Sequence, residues 1–388
     1  MKTADRYGDD IVQHYFVDLQ INNIKNSVAM KNIIPYLTIM LLVGCSVGNE
    51  TEWPSLMVMS DDIKDTAVEL YAEQMPLSEN LYRAKDFEVF RDSILILTNV
   101  ASVADKIPFV EIYNLNDLSE HIAGYFRKGN GPDEMLNVHT NIQGSKLNIY
   151  DFVKNKYACV NLDSALNVVE YVPGKVMDMP VGSMTPFVTA FGEDSLLLWN
   201  PYSFYAKDSG IGNENVPRIT ILKKGDNVKN VFGEHKYFTY NVSQGGILVD
   251  AKRDRIVCVS TFYPEIEIYD CHLKAVKKII GPDNMPFKVK VSGRDVVFKG
   301  QIPYSYRSYC VGEDSFYLCY IGDYIMTGNE IKDFDSYILQ FDWDGELLNV
   351  YHSPVYLGTL TKSSVGECFY GRGIDSTGTP VLYRLKTL

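Results

Sequence analysis

Short apolar runs, each preceded by an acidic or glycine-containing turn, recur along the chain. Each run is followed by a loop and a second apolar segment that ends in a polar turn, as in residues 94–97 and then 109–113. Brief apolar runs between turn signals are typical of strands, and recurrence at a regular period indicates a repeated structural unit. The turns share one marker position, occupied by Asp92, Ser145, Asp194, Asp254, Asp314 and Gly366. The marker spacings of 53, 49, 60, 60 and 52 residues predict six repeats.

Each repeat is long enough for four short strands. A four-stranded sheet cannot cover both of its faces alone, whereas sheets stacked around an axis cover one another. The 27 tyrosines and 18 phenylalanines also favour strands. We therefore predict an all-β fold over residues 55–388, a six-bladed β-propeller of four-stranded antiparallel blades. Ring closure should pair residues 55–60 with the last blade near residues 381–385, and residues 62–73 are the best candidate for one short turn or helix.

The one long apolar run, residues 33–42, follows Lys31 and ends at Leu42-Val43-Gly44-Cys45. It is too short to span a bilayer and has the form of a signal peptide. The four residues resemble the lipobox of bacterial lipoproteins, which implies a lipoprotein signal peptide over residues 30–44, a lipidated Cys45 and a tether over 45–54. Ser46 resembles the residue found in lipoproteins sent to the outer membrane. The alternative is a buried helix over residues 33–44.

Residues 1–29 do not fit in front of such a signal. They include Asp5, Asp9, Asp10 and Asp18, where a signal peptide has a short basic segment. We therefore expect the protein to start at Met30, with residues 1–29 as upstream or mis-assigned sequence.

Charge and cysteine content narrow the function classes. The net charge of −12 and the lack of a Lys/Arg-rich stretch predict no nucleic-acid partner. Besides Cys45, the chain has six cysteines, and their spacing matches no metal site. Buried free thiols are the favoured interpretation, and disulfides are the alternative left open by an oxidising envelope.

A family resemblance rests on residues 127–134. Gly129-Asn130-Gly131-Pro132-Asp133-Glu134 resembles the GxGPGE turn of NHL-like six-bladed propellers and of TolB-like lipoproteins of the bacterial envelope, with Asp133 where those proteins have glycine. The resemblance covers residues 52–388. It implies a propeller in the envelope, and it implies no particular activity.

Catalytic motifs are absent from the sequence, so we predict no catalytic residue and favour a binding module for a carbohydrate, a peptide or a partner protein. Residues 199–205 and 303–309 combine aromatic rings with polar groups, which suits such ligands. Strict alternation would place Tyr304 and Tyr306 on one strand face and Arg307 on the other. The candidate residues for the mouth of the central funnel are Tyr82, Arg83, Trp199, Tyr202, Tyr304, Tyr306 and Arg307.

Two other functions are alternatives to the binding module, and the first is a calcium-dependent, lactonase-like hydrolase. Lactonase-type six-bladed propellers hold Ca²⁺ in the channel through oxygen ligands, which this metal prefers. The corresponding candidates are Asp86, Glu88, Asn141 and Asp250. The second alternative is a purely structural scaffold. No other cofactor is expected, and the only membrane contact predicted is through the N-terminal lipid.

Overall fold

A computed structural model of the chain describes residues 53–75, 84–100, 107–165, 177–178, 187–192, 195–199, 219–223, 229–232, 244–292, 295–325, 335–375 and 379–387. The signal peptide, Cys45, Tyr82, Arg83, Asp194 and Tyr202 lie outside these residues. Within them the fold is all-β, apart from a 3-10 helix at Asp61–Thr66 and a helical turn at Leu162–Ala165. Among the described helices, none has the length and apolarity needed to cross a membrane.

The strands, in chain order, are β1 (Leu56–Val58), β2 (Val68–Met75), β3 (Ala84–Phe90), β4 (Ile94–Asn99), β5 (Val110–Asn114), β6 (Asp117–Tyr125), β7 (Val138–Gln143), β8 (Lys146–Asp151), β9 (Lys156–Asn161), β10 (Met177–Asp178), β11 (Phe187–Phe191), β12 (Ser195–Trp199), β13 (Ile219–Lys223), β14 (Lys229–Phe232), β15 (Gly245–Asp250), β16 (Arg255–Ser260), β17 (Glu265–Tyr269), β18 (Ala275–Ile280), β19 (Val289–Ser292), β20 (Asp295–Phe298), β21 (Ile302–Val311), β22 (Ser315–Ile325), β23 (Ser336–Asp342), β24 (Leu347–Ser353), β25 (Thr361–Lys362), β26 (Cys368–Ile374) and β27 (Pro380–Thr387).

Consecutive strands pair into antiparallel sheets. Sheet I contains β3–β6, sheet II β7–β10, sheet III β11–β14, and sheet IV β15–β18 with β1 added at its edge. The described residues also form an eight-stranded sheet in the order β21-β22-β23-β24-β2-β27-β26-β25. We call β21–β24 sheet V and the remaining four strands sheet VI. The hairpin β19–β20 lies between sheets IV and V in the chain.

The predicted turn markers lie between the first and second strands of the sheets. Asp92 has a φ of 53° and Asp254 a φ of 60°, and Gly144, next to the marker Ser145, has a φ of 59°. Such left-handed residues match the twist of tight hairpins, and Asp and Gly tolerate them. Asp314 and Gly366 occupy the same position in sheets V and VI. The repeated hairpin predicted from the sequence is confirmed at these five places.

Buried side chains fill the spaces between consecutive sheets. Core clusters join sheet I to II, II to III, III to IV, IV to V and V to VI. A further cluster joins sheet VI back to sheet I and contains Tyr370 and Leu382 of sheet VI with Phe87 and Leu97 of sheet I. The cores therefore follow one another around a closed ring. This arrangement is β-propeller-like.

The segment predicted to close the ring, residues 55–60, is wrong, and the next strand along the chain closes it instead. Residues 56–58, in β1, pair in parallel with residues 278–280 of β18 rather than with the C-terminal strand. The strand that closes the ring is β2, which pairs antiparallel with β27 from Leu70 opposite Thr387 to Met75 opposite Leu382. It also meets β24 in parallel at Val68. Both N-terminal segments have strand character, and only tertiary packing decides which sheet edge each one covers.

The short turn or helix predicted within residues 62–73 is confirmed up to Thr66, and the prediction is wrong for the residues beyond it. The 3-10 helix ends at Thr66, and β2 begins at Val68. Ser60 starts the helix by accepting a hydrogen bond from the Asp62 amide. Burial of Leu70 between exposed Glu69 and Tyr71 favours the strand, because alternation at period two fits a sheet edge.

His352 joins the closing strand to sheet V through two ion pairs. Its Nδ1 lies 2.8 Å from Glu69 Oε2, and its Nε2 lies 3.3 Å from Asp335 Oδ2. Burial lowers the pKa of His352, but the two carboxylates outweigh this effect and raise it above 6.5. The stabilisation is therefore complete below pH 6.5 and is lost as the pH rises through the raised pKa.

We expect His352→Gln to reduce the free energy of unfolding by roughly 0.5–1 kcal/mol at pH 5.5 and not at pH 9, because both carboxylates are largely exposed. Denaturant titrations at both pH values measure this, with the exposed His272→Gln as control. Equal losses at the two pH values would contradict the ionic role.

The glycine-rich turn at residues 127–134 is organised by two charged side chains. The Gly131 amide donates to Glu134 Oε2 at 2.7 Å, and a Cβ on Gly129 would lie only 2.0 Å from that oxygen. The Lys154 ammonium group donates to the carbonyls of Gly129, Gly131 and Glu134 at 3.2, 2.9 and 2.7 Å. The turn is thus held from its inner side, with Asp133 at its tip.

Lys154→Met should lower the free energy of unfolding by about 1–2 kcal/mol, because three carbonyl groups lose a charged donor. Lys156→Met is the matched comparison, since Lys156 donates only to the Pro132 carbonyl, and its loss should be smaller. Urea denaturation of both variants tests the order. An equal or reversed order would show that Lys154 does not hold the turn.

Candidate functional site

The first strands of the sheets surround the centre of the ring and are linked from sheet to sheet. Thr140 Oγ1 on β7 donates to Glu88 Oε1 on β3 at 3.1 Å, and Asn141 Nδ2 donates to the Val188 carbonyl on β11 at 2.9 Å. The Val89 amide reaches Thr361 Oγ1 on β25 at 3.5 Å. Polar groups of these first strands therefore face the centre of the ring, which we call the channel.

A β-bulge turns Arg307 into this channel. Tyr306 pairs with Tyr320, and Ser308 pairs with the adjacent Cys319, so Arg307 is the extra residue of β21. A bulge bends its strand and re-aims the side chain. The Arg307 side chain is exposed to solvent although protein lies on every side of it. A side chain in a water-accessible channel has this environment.

The same irregular register overturns the predicted alternation. Tyr304 belongs to the core between sheets V and VI, whereas Tyr306 belongs to the core between sheets IV and V. The two rings therefore occupy opposite faces of β21, because the pairing with β22 shifts between them. Strict alternation holds only along a regular strand.

Tyr356 connects Arg307 to sheet VI. Arg307 Nε donates to Tyr356 Oη at 3.0 Å, and the hydroxyls of Tyr304 and Tyr356 lie 3.3 Å apart. Tyr356 lies in the segment between β24 and β25. The Tyr356 hydroxyl thus holds the Arg307 guanidinium group and is itself contacted by the Tyr304 hydroxyl.

Arg372 approaches the same place from β26, the second strand of sheet VI. The first strand, β25, has only two residues, and Gly358 precedes it without a side chain. A Cβ on Gly358 would lie 3.6 Å from the Tyr356 ring and 3.9 Å from Arg372 Nη1. The Arg372 guanidinium carbon also lies 6.0 Å from the centre of the Phe87 ring. Because β25 is short and Gly358 has no side chain, Arg372 can reach the channel from the second strand of its sheet.

Asp86 on β3 completes a group of charges contributed by sheets I, V and VI. Burial lowers the pKa of Arg372, the charge of Asp86 opposes this change, and the charge of Arg307 adds to it. Asp86 also acts on Arg307 and on Tyr309, both of which belong to sheet V. We call Asp86, Arg307, Tyr356 and Arg372 the channel cluster. It contains two guanidinium groups and one carboxyl group in an acidic protein.

Glu88 lies next to the channel cluster on β3. Burial, aided by the charge of Asp86, raises its pKa to about 7, although the hydrogen bond from Thr140 opposes this rise. On the neighbouring strand, burial and the charge of Lys85 lower the pKa of His139 to about 3. The His139 ring lies between the rings of Phe152 and Phe187 at 5.4 and 5.7 Å. His139 is therefore neutral at physiological pH.

Uncharged polar side chains fill the channel near the hairpin turns. Thr189 Oγ1 lies 3.1 Å from Asn141 Oδ1 and 3.3 Å from Gln143 Oε1, and either oxygen can accept its one proton. Gln143 Nε2 lies 3.5 Å from the Val249 carbonyl, so it reaches from sheet II to sheet IV across sheet III. Side chains therefore cross the channel at the end next to the hairpin turns. The channel cluster lies nearer the opposite end of the first strands.

The predicted funnel-mouth residues occupy different environments. Arg307 and Tyr304 lie at the channel cluster, whereas Tyr306 is buried and donates to the Gly281 carbonyl at 2.7 Å. Trp199 is buried at the end of β12, 5.3 Å from the Phe187 ring. These two aromatic residues serve packing between sheets, as large rings most often do. Tyr82, Arg83 and Tyr202 lie outside the described residues.

The candidate calcium ligands do not form one group. Asp86 and Glu88 lie on β3, and the Asn141 amide is engaged with Val188 and Thr189. Asp250 is used in its own hairpin turn, where it accepts hydrogen bonds from the Lys252 and Arg253 amides. In the part of the chain that the structure describes, no three His, Cys, Asp or Glu side chains are arranged to hold a metal ion. The calcium alternative stays a prediction.

Other sequence expectations can be placed as well. The six cysteines at 159, 258, 271, 310, 319 and 368 are all free. Two channel residues, Tyr356 and Arg372, were not predicted. Their only signal is the brevity of the apolar run before the Gly366 marker, which shortens β25 and opens the channel to β26.

The sequence matches no known protein family and no curated protein. Its fold is similar to that of a DUF4221 family member from Bacteroides vulgatus, with 13% identity, 83% of this chain and 99% of that chain covered, and a TM-score of 0.51. It is also similar to a Bacteroides fragilis protein to which export has been ascribed, with 12% identity, coverage of 86% and 99%, and a TM-score of 0.50. At these identities the likeness concerns the fold alone.

Proposed function

We propose that this chain is a lipoprotein of the bacterial cell envelope, anchored through Cys45 at the outer membrane, and that its domain is a six-bladed propeller acting as a binding module. The lipobox-like residues before Cys45 and the export ascribed to the similar Bacteroides fragilis protein support the location. The ring of inter-sheet cores supports six blades, the sixth completed by β2.

The channel cluster is the observation that carries the binding role. Side chains from three sheets converge there, and Arg307 keeps solvent access. Funnels at the centre of such rings place groups from several blades around one ligand. The ligand classes that fit tyrosine and arginine groups are a carbohydrate, a peptide or a segment of a partner protein.

Binding is tested by screening the mature domain against glycan and peptide arrays and by crosslinking it in cells. Arg307→Ala should lose whichever ligand is found, and Arg255→Ala, at a hairpin turn, should retain it. If no ligand or crosslinked partner depends on Arg307, the scaffold alternative is favoured.

The anchor is tested separately by membrane fractionation and labelled-lipid uptake. Wild-type protein should fractionate with the outer membrane and incorporate lipid, and Cys45→Ala should do neither. A Cys45→Ala form that stays on membranes, or a wild-type protein without lipid, would exclude this anchor.

A further inference from the structure

We infer that the channel cluster recognises the carboxylate of an acidic sugar, with Arg307 and Arg372 as the carboxylate-binding groups. This inference rests on the proposed binding function and specifies the class of ligand. Guanidinium groups bind carboxylates through paired hydrogen bonds, and they stay charged at any physiological pH.

The two arginines are prepared for an external anion. Arg307 uses Nε to bind Tyr356, and Arg372 Nε is buried without a hydrogen-bond partner among the described residues. Among the described residues neither guanidinium group forms an ion pair with a carboxylate, so both charges are available to an anion. By contrast, Arg255 at the hairpin turns is already paired with Asp344 at 2.7 Å.

Charge balance favours a ligand with one negative charge. While Glu88 is protonated, below its raised pKa of about 7, two guanidinium groups and the Asp86 carboxylate leave one excess positive charge in the channel cluster. A single carboxylate neutralises this charge. A zwitterionic amino acid has no net charge and would leave the excess positive charge uncompensated. A phosphate dianion has two negative charges and would give the site a net negative charge.

The remaining groups of the site suit a sugar ring. The Asp86 carboxylate accepts hydrogen bonds from hydroxyl groups, and the hydroxyls of Tyr304 and Tyr356, 3.3 Å apart, can donate or accept. The half-buried ring of Tyr356 also offers an apolar face to the C–H groups of a sugar, whereas the Tyr304 ring is buried in the core. An acidic sugar combines the carboxylate with several hydroxyls on one small frame.

The test is calorimetric titration of the mature domain with trigalacturonate, with maltotriose as the neutral sugar, propionate as a carboxylate without hydroxyls, and inorganic phosphate. We expect trigalacturonate to bind at least tenfold more tightly than the other three. Arg307→Gln and Arg372→Gln should each weaken binding at least tenfold, whereas Arg255→Gln should not change it. Each variant must melt within a few degrees of wild type, and Arg372→Lys provides a milder change if Arg372→Gln unfolds.

Each outcome decides the inference. Equal binding of trigalacturonate and maltotriose would overturn carboxylate recognition while leaving a sugar-binding channel. Tighter binding of phosphate would overturn the monoanion argument. Absence of uronate binding would overturn the inference alone, because the array and crosslinking experiments decide the binding function independently. Uronate binding that persists in both arginine variants would place the site elsewhere.

Discussion

Leu70→Ala should lower the free energy of unfolding by about 3 kcal/mol, within the usual range for a leucine removed from a core. Leu70 is 3% exposed and packs in the core between sheets V and VI, where the closing strand β2 completes the ring. The cavity left by the substitution lies between two elements that are far apart in sequence. We therefore expect the C-terminal strand β27 to lose protection together with β2.

Tyr71→Ala is the matched control for this experiment. Tyr71 lies on the same strand, pairs with Lys386 and is 57% exposed, so its loss should cost less than about 1 kcal/mol. Denaturant midpoints measure the stability of both variants, and amide hydrogen exchange of residues 380–387 measures the coupling. If Leu70→Ala costs no more than Tyr71→Ala, β2 does not close the core.

The sequence was sufficient to predict the repeated hairpins, because their turns need residues that tolerate a positive φ. Asp92 and Asp254 supply this conformation directly, and Gly144 supplies it beside the marker Ser145. Each of these turns is followed by the apolar second strand of its sheet. Local chemistry therefore determines the hairpins, and a periodic pattern exposes them.

The N-terminal segment could not be assigned in the same way. Residues 56–58 and 68–75 both suit an edge strand, and the choice of partner depends on the position of the segment on the assembled ring. Lys64 shows this dependence, since it forms an ion pair with Asp283, which also accepts a hydrogen bond from Tyr320 at 2.7 Å. No local pattern predicts contacts between residues so distant in sequence.

The channel cluster was predicted in separate pieces. Arg307 was a candidate for the funnel mouth and Asp86 a candidate calcium ligand, and the fold brings both to one channel. The bulge at Arg307 is a property of strand pairing and has no sequence signature of its own, and the brevity of β25 shows in the sequence only as a short apolar run before Gly366. For this reason Tyr356 and Arg372 were missed.

Glu88→Gln should stabilise the protein by about 1–2 kcal/mol at pH 8 and should not stabilise it at pH 4. Burial raises the pKa of Glu88 from 4.5 to about 7, so the native state holds a proton that the unfolded chain releases near pH 4.5. Native stability consequently falls as the pH rises from about 4.5 to 7 and is then level. Glutamine resembles the protonated carboxyl and can still accept the hydrogen bond from Thr140. The partial solvent access of Glu88 keeps the expected gain below the full shift.

Denaturant titrations of wild type and Glu88→Gln at pH 4, 6 and 8 measure this effect, with the exposed Glu313→Gln as the control for loss of one charge. The difference between Glu88→Gln and wild type should grow between pH 4 and 8, and that of Glu313→Gln should stay small and flat. If Glu88→Gln is no more stable than wild type at pH 8, the pKa of Glu88 is not raised, and its carboxyl group is already ionised near pH 6 in the native protein. Its charge would then count with Asp86 against the two arginines of the channel cluster, and the channel would carry no excess positive charge. The pH profile of one carboxyl group therefore measures the electrostatic balance on which recognition of an anion in this channel depends.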